Sequence, residues 1–265
     1  YCWARPDNLN DINYFIKERN ELNTPIWVGE TGEKGNTIYW GTSQYLAANN
    51  IGFAFWPWKK MDTKNTPYSI KKPDNWDLIS EYTKGGAKSD SIVADKILND
   101  FLENIKLSNC EYFEDVCNAI LTRIPGKIEA ENYGHDGFNR SYFVLDTLNK
   151  SKFYRKEEPV QIQLDSKDKD QLWSDQSVEL HKSEWVVYNF NSLDNRKHQL
   201  TIRASSYTVP ASLLIEINNK KVAFNVGTKD LSELTVGNFY LKKGDNKIKI
   251  LVQSNTLKLD WIKFN

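Results

Sequence analysis

The chain has 265 residues, enough for one or two domains with a sizeable core. Its 35 basic side chains balance its 35 acidic ones, so we expect neither nucleic acid nor an anionic membrane as the main partner. No apolar run is long enough to cross a bilayer, and the 13 % of aromatic residues favours either large cores or flat faces for sugar rings.

Residues 1–122 alternate predicted helices and strands. In DINYFIKERNEL, apolar residues recur at helical spacing behind a possible Asn10 cap: Ile12, Phe15, Ile16 and Leu22. PIWVG is typical of a parallel strand buried on both faces, TIYWGTSQYLAANN of a helix, and IGFAFWPW of a second buried strand. We expect the polar stretch from Lys59 to Asp74 to be a loop.

Two further helices are predicted before the pattern changes. ADKILNDFLENIK has one apolar face, and residues 112–121 have apolar side chains in helical register. Cys110 and Cys117, if both lay on one helix, would be about 10 Å apart, too far for a disulfide. They could pair only if Cys110 lies outside the helix; we expect these two and Cys2 to be free thiols. Because two parallel strands leave unpaired edges, we expect residues 1–122 to be part of something larger.

Beyond a short linker at 123–126, residues 127–265 show short alternating segments separated by turns, such as EWVVYNF, HQLTIRAS and NKIKILVQ. About eight to ten such strands predict an all-β sandwich of jelly-roll type. The predicted fold class is therefore multidomain: a partial (β/α) barrel fragment followed by a jelly-roll sandwich.

A carboxylate ends the first predicted strand. Glu30 follows Val28-Gly29, and the carboxyl end of a parallel strand is where β/α barrels place catalytic groups. The alternatives are that Glu30 caps the next helix or pairs with a lysine, and Glu33 is a less favoured rival. The second strand brings Trp56 and Trp58 to the same rim, where an indole ring could pack on a sugar.

The pair PIWVGETG and GFAFWPWK resembles strands seven and eight of a family 5 glycoside hydrolase, a β/α barrel of retaining β-glycanases. The resemblance implies that Glu30 is the nucleophile and that Trp56, with Trp58 nearby, binds substrate; Lys59 and Asp62 are weaker candidates. Catalysis would need no cofactor. Retaining chemistry needs a second carboxyl group, which the family carries on a strand that this chain lacks. We therefore expect the chain alone to be inactive, with the missing N-terminal barrel portion as a possible partner.

The second part opens with PGKIEAENY and closes with LKLDWIKF, and it resembles a family 6 carbohydrate-binding module. Such modules carry a structural calcium, which the resemblance assigns to Glu129, Glu131 and Asp260. In E-x-E, both carboxylates project to one side of a strand, and oxygen ligands suit Ca²⁺. The alternative is a charged rim that lysines balance.

The sugar site of this second part is less well marked. At the positions where the family has a Tyr, a Trp and an Asn, this chain has Glu179, Leu231 and Lys258. The loop-end cleft is therefore lost, remodelled or replaced by a site on the concave sheet face. Candidate aromatic ligands are Tyr142, Tyr154, Trp173, Tyr207 and Tyr240, with Tyr154 preferred. We expect Trp185 in the core and His135, His181 and His198 on the surface.

Three functions stay open at this point. The chain is part of a retaining β-glycanase, a carbohydrate-binding module with a passive barrel remnant, or a purely structural sandwich. The first two imply a polysaccharide or oligosaccharide partner and an extracellular or periplasmic location.

Overall fold

A computed structural model of the chain describes residues 10–151, 154–165, 176–207 and 210–265. None of the helices within these ranges is both long and apolar enough to cross a membrane. Cys110 and Cys117 are free thiols, as predicted; Cys2 and Trp173 lie outside the described residues.

The described residues of the first part of the chain contain five α-helices, five short strands and one 3-10 turn at Leu107–Asn109. In chain order they are α1 (Asn10–Leu22), β1 (Trp27–Thr31), α2 (Asn36–Ala48), β2 (Gly52–Phe55), β3 (Lys59–Met61), β4 (Tyr68–Ile70), α3 (Trp76–Thr83), α4 (Ser91–Asn104), β5 (Glu111–Tyr112) and α5 (Glu114–Ile120). β1 and β2 form a parallel pair joined by α2, as the sequence predicts. β3, β4 and β5 form a separate three-stranded sheet, so the loop predicted from Lys59 to Asp74 is wrong in part.

The parallel pair is buried on one face only, which corrects the prediction of strands buried on both. Val28 packs with α1 and α2 residues in a small core, whereas Trp27 on the other face is 66 % exposed. Helix α4 begins at the Asp90 cap, whose carboxylate accepts hydrogen bonds from the amides of Ile92 and Val93. Of its apolar stripe, Ile97 is buried and Leu98 is exposed. A partial β/α barrel is not shown by these elements and stays a prediction.

The second part is a sandwich of two six-stranded sheets, as the alternating pattern predicts. Its strands are β6 (Arg123–Ile124), β7 (Gly126–Glu129), β8 (Tyr142–Phe143), β9 (Gln161–Leu164), β10 (Gln176–Leu180), β11 (Trp185–Ser192), β12 (Arg196–Ser205), β13 (Ala211–Ile217), β14 (Lys220–Val226), β15 (Ser232–Leu241), β16 (Gly244–Ser254) and β17 (Leu257–Phe264). Sheet A has the order β15-β12-β17-β10-β9, with β7 also paired to β17. Sheet B has the order β14-β13-β16-β11-β6, with β8 also paired to β11.

The core of the sandwich lies between the two sheets. Alternate residues of each strand enter it, for example Leu213, Ile215 and Ile217 of β13, and the intervening side chains face outward. Ile124 is fully buried in the same core because β6 pairs with β11. The segment predicted as a linker at 123–126 is thus a strand of sheet B and the start of β7.

Helix α2 joins the first part to the sandwich. Trp40, at its centre, is 2 % exposed and belongs to the core that both sheets form. The Thr37 hydroxyl donates to Oε1 of Glu129 (3.0 Å), and the Asn132 amide donates to the Thr37 carbonyl (3.3 Å). The first part is therefore packed on the sandwich rather than tethered to it.

Candidate functional site

The outward face of sheet B carries an apolar row where a solvated face is normally polar. In β11, Val186, Tyr188 and Phe190 enter the core, so Trp185 faces outward. Trp185 pairs with Phe143 of β8 on one side and with Leu251 of β16 on the other. Leu251 in turn pairs with Leu214 of β13. The prediction of Trp185 as a core residue is wrong, because its neighbours of opposite parity fill the core.

Two rings form the aromatic end of this row. The Phe143 and Trp185 rings are nearly parallel, with centroids 6.4 Å apart and planes at 18°. The Lys249 ammonium lies 3.7 Å from the Trp185 ring centroid, a cation–π contact that covers one side of the indole. Burial, the main cause, lowers the pKa of Lys249. This end can offer aromatic surface together with a hydrogen-bond donor.

The same strand pair becomes polar towards its other end. Asn189 pairs with Lys247 and Asn191 with Asp245, all at outward-facing positions. These four residues line a cavity of about 470 Å³, and its opposite wall includes Gln44, Ala47 and Ala48 of α2. A neighbouring hollow of about 540 Å³ shares Lys247 and Asp245 with it and reaches Lys249. We call the surface from Phe143 and Trp185 to Asn191 the sheet B strip.

His135 lies at the α2 end of the sheet B strip, which corrects its prediction as a surface residue. Its ring packs edge-on against Tyr45 of α2, with centroids 5.5 Å apart. Burial, and secondarily the Arg155 charge, lowers the pKa of His135 to about 2. The imidazole is therefore neutral at physiological pH. His198 is also buried, beside Asp194, whereas His181 is exposed as predicted.

The three residues predicted to bind calcium are all buried on the side of the sandwich where β7 meets β17. Trp261, next to Asp260, pairs with Glu129, and the Ala130 amide donates to the Asp260 carbonyl (2.9 Å). Burial raises the pKa of Glu129. Burial and then the Glu129 charge raise the pKa of Glu131 well above its usual range and that of Asp260 to about 6.

Two of these carboxylates already have basic partners. Lys127 pairs with Glu129 at 2.6 Å, and Arg203 pairs with Asp260. Glu131 differs, because its Oε2 is buried and has no hydrogen-bond partner among the described residues. In the described part of the chain, no three His, Cys, Asp or Glu side chains adopt an arrangement that could hold a metal. The donor chemistry suits Ca²⁺, while the geometry shown is closer to the alternative of carboxylates balanced by basic side chains.

Two of the three loop-end positions that differ from the resembled family, Glu179 and Lys258, belong to a charged network. Glu179 and Lys258 are cross-strand neighbours, Glu179 accepts from the Gln163 amide (2.6 Å), and Lys258 pairs with Asp165. The Tyr207 hydroxyl donates to Gln163 (3.2 Å). These positions therefore form ion pairs, where the resembled family would have aromatic side chains that bind a sugar.

Tyr154 does not lie on a surface that could bind sugar. It is 2 % exposed within the sandwich core, and its hydroxyl donates to Oδ1 of Asn132 (3.0 Å). Its selection as a substrate-binding residue is therefore contradicted. Among the other aromatic candidates, Tyr142 is also buried, while Tyr207 and Tyr240 are exposed.

The structure brings the predicted catalytic and platform residues to one edge of the parallel pair. The Trp56 amide donates to the carbonyl of Thr31 (2.7 Å), the residue after Glu30. Gly32 has φ +141°, and a Cβ there would lie 2.1 Å from the Trp56 carbonyl oxygen, so only glycine allows this approach. Trp56 and Trp58 are 51 % and 52 % exposed.

The carboxylate of Glu30 is half-buried, and within the described residues its Oε2 has no hydrogen-bond partner. In the part of the chain that the structure describes, Glu30 neither caps α2, whose N-cap is Gly35, nor pairs with a lysine; Lys60 pairs with the rival Glu33 instead (2.6 Å). Lys59, a weaker substrate candidate, donates to the Ile105 carbonyl (2.5 Å). The catalytic role of Glu30 stays a prediction.

No protein-family model matches the sequence, and no curated protein matches it. The solved structures similar to parts of the chain include a carbohydrate-binding module, CBM36, in complex with calcium and xylotriose. It is 20 % identical, with 52 % of this chain and 98 % of that chain covered and a TM-score of 0.36. The GH26-CBM35 β-(1,4)-mannanase of Podospora anserina is 20 % identical over 32 % of this chain and only 20 % of its own, with a TM-score of 0.29.

A third similar structure is the module CBM6cm-2 of Cellvibrio mixtus lichenase 5A, in complex with cellotriose. It is 14 % identical, with 40 % of this chain and 86 % of that chain covered and a TM-score of 0.34. TM-scores of 0.29, 0.36 and 0.34 are too low for these similarities to indicate a function. The resemblances to family 5 hydrolases and family 6 modules are not confirmed and stay predictions.

Proposed function

We propose that this chain binds a neutral oligosaccharide or polysaccharide on the sheet B strip. The observation that carries the proposal is the change along one strand pair from outward-facing Phe143 and Trp185 to outward-facing Asn189 and Asn191. Aromatic rings pack on the apolar face of a sugar, and side-chain amides both donate to and accept from hydroxyl groups. Phe143, Trp185, Leu214 and Leu251 are half-buried, so part of this apolar row stays open to solvent, and contiguous apolar surface is a common mark of a binding site.

The dimensions and charges of the strip agree with an extended glycan. From Trp185 to Asn191, β11 rises by about 20 Å. Val187, between them on the same face, is 1 % exposed, so a glycan would contact the two ends of the strip rather than its middle. Basic and acidic side chains are interspersed along the hollow, which is lined by the three lysines Lys242, Lys247 and Lys249 and by the two carboxylates of Glu216 and Asp245. This balance favours a neutral ligand over a polyanion.

The test is affinity electrophoresis and calorimetry with cello-, xylo- and manno-oligosaccharides. We expect Trp185→Ala to lose at least tenfold in affinity for whichever glycan binds, because an aromatic contact of about 1.4 kcal/mol or more disappears. Gln253→Ala, an exposed and outward-facing change on β16, is the matched control and should bind like the wild type. If no glycan retards the wild type, the proposal is wrong and the structural role remains.

A second candidate function, part of a retaining β-glycanase, is favoured by the edge formed by Glu30 and Trp56. Thr31, the residue after Glu30, accepts a hydrogen bond from the Trp56 amide, and the Trp56 side chain is exposed; a carboxylate and an exposed indole at one strand edge suit a nucleophile beside a sugar platform. The parent would hydrolyse glycosidic bonds outside the cell or in the periplasm, while this chain alone would be inactive. Rapid labelling of Glu30 by a mechanism-based fluoroglycoside would refute that inactivity.

The missing barrel portion would be the partner of the exposed apolar side chains on α1 and α4, namely Phe15, Leu22, Leu98 and Leu102. We also propose Ca²⁺ as a structural cation held by Glu129, Glu131 and Asp260. The unpartnered oxygen of Glu131 supports it. A melting temperature that does not change between excess Ca²⁺ and chelator would rule it out.

A further inference from the structure

The hollow of about 540 Å³ on sheet B lies directly beside the apolar row that contains Trp185, and its volume falls in the range of small-molecule sites, roughly 300–1,000 Å³. Glu216 of β13 and Lys249 of β16 line it and are cross-strand neighbours. Two residues along the same strands, Leu214 faces Leu251, which pairs with Trp185. The side chains of both cross-strand pairs are half-buried, so the hollow and the row form one continuous accessible surface.

This hollow, which we call the lysine hollow, has more basic than acidic groups once ion pairs within the protein are counted. It is lined by Lys242, Lys247, Lys249, Glu216 and Asp245. Glu216 pairs with Lys221, its cross-strand neighbour on β14 (3.8 Å). Among the described residues, neither the three lining lysines nor Asp245 has an ion-pair partner. Three ammonium groups therefore share the hollow with one unpaired carboxylate.

The basic side chains of the lysine hollow lie close enough to interact. Burial is the main cause of the lowered pKa of Lys249, and the Glu216 charge opposes it. The charges of Lys247 and Lys221 lower this pKa further, because like charges disfavour the protonated form. The Lys249 ammonium also lies 3.7 Å from the Trp185 ring centroid. A negative group placed here would offset this repulsion at a point next to the aromatic end of the sheet B strip.

The charges select the class of group that the lysine hollow can hold. Each ammonium offers three donors and no acceptor, so an acceptor with a negative charge suits the three lysines best. The carboxylates of Glu216 and Asp245 would repel a doubly charged phosphate more strongly than a singly charged carboxylate. Because the adjoining row is aromatic and apolar, the rest of the ligand should be a sugar. A uronic acid unit combines one carboxylate with a ring that carries hydroxyl groups.

We propose that the lysine hollow binds the carboxylate of a uronic acid unit, while neighbouring neutral units of the same glycan pack on Trp185 and the leucines beside it. The inference rests on the proposed glycan binding and narrows the ligand to a largely neutral glycan with single acidic units. A polyuronate would place further charges on the apolar row, and a glycan without any uronic acid would leave the lysines unpaired. Both should bind more weakly.

The experiment uses whichever of the cello-, xylo- and manno-oligosaccharides the wild type retains, with one glucuronic acid unit attached. The second probe is the same compound after its carboxylate has been reduced to a primary alcohol, so the two probes differ only in the charged group. In calorimetry at low salt, we expect the wild type to bind the acidic probe about fivefold more tightly, since solvent weakens a charge-assisted hydrogen bond at an accessible site. This preference should nearly disappear at about 1 M salt, where charges are screened beyond about 3 Å.

Three variants locate the carboxylate on the protein, and the readout is the ratio of the affinities for the two probes. The double variant Lys242→Gln/Lys247→Gln should lose most of the preference for the acidic probe. Asp245→Asn removes the unpaired carboxylate of the hollow and should increase the preference about twofold, a gain that a folding defect does not produce. Lys197→Gln makes the same chemical change at an exposed position on sheet A and is the control, which should keep the wild-type ratio.

The outcomes separate this inference from the proposed function. If Trp185→Ala weakens the binding of both probes but the wild type binds them equally, the uronic acid inference is wrong and the glycan face stands. A preference for the acidic probe that survives in the double lysine variant would place the carboxylate elsewhere and also overturn the inference. If Trp185→Ala binds both probes normally, or the wild type retains no glycan, the proposed function itself fails, and this inference fails with it.

Discussion

The docking of α2 on the sandwich predicts that Trp40 is among the most sensitive positions of the chain. Its side chain is 2 % exposed and packs with residues of both sheets. Truncation of a buried Trp to Ala typically costs about 3–5 kcal/mol, against a usual domain stability of about 5–15 kcal/mol. Trp40→Ala should therefore remove a large share of the folding free energy.

The assay is urea unfolding followed by circular dichroism, because fluorescence would change with the deleted indole itself. Trp27→Ala, in the same part of the chain but 66 % exposed, is the control and should cost about 1 kcal/mol at most. Equal and small losses in the two variants would show that α2 is not anchored in the sandwich core and does not hold a fixed position beside sheet B.

Three other predictions concern single side chains. Asp260 has a folded pKa of about 6, above its ordinary 3.8, so its stabilising contribution is present below about pH 4 and is lost as pH rises through 6. The free energy of unfolding of Asp260→Asn, relative to that of the calcium-free wild type, should thus rise by about 1–2 kcal/mol between pH 4 and 7, after allowance for solvent screening. A difference between the two unfolding curves that does not vary with pH would contradict this. The pH dependence caused by His135 runs in the opposite direction, because its folded pKa of about 2 lies below the ordinary 6.5. Its stabilising contribution is fully present above about pH 6.5, and about 1–2 kcal/mol of it is lost by pH 5. His135→Gln should lose less on acidification, and an equal loss would point to other groups. Gly32→Ala should destabilise by several times as much as Gly29→Ala in thermal unfolding, since a Cβ at Gly32 meets the Trp56 carbonyl while one at Gly29 meets nothing within 4 Å; similar melting temperatures would show that the strand ends separate.

The sequence predicts those elements whose pattern is local. The apolar stripe of α4, the order of β1, α2 and β2, and the alternation in β10–β17 all carry their own period, and the structure contains them. The small sheet of β3, β4 and β5 escaped prediction, because its strands have two or three residues and β5 is some 40 positions away from its partner β4. Helix α2 is apolar on most sides, so its pattern does not show that Trp40 enters another core.

The candidate site could be predicted in part. In WVVYNFNS the even positions Val186, Tyr188 and Phe190 suit a core, which leaves Trp185 and Asn189 outward; this signal was available in the sequence. Tyr154 was misassigned, because a tyrosine in a polar stretch such as FYRKEE gives no sign that its ring is buried. The cavity at Gln44 depends on two segments about 140 residues apart, and no local pattern places them together.

The most direct test of glycan binding on sheet B is the indole N–H resonance of each Trp, followed by NMR during titration with a hexasaccharide that the protein retains. We expect the Trp185 signal to move in proportion to saturation, while those of Trp27 and Trp58 stay in place. A titration in which Trp56 or Trp58 moves and Trp185 does not would assign binding to the edge near Glu30 and contradict the proposed face.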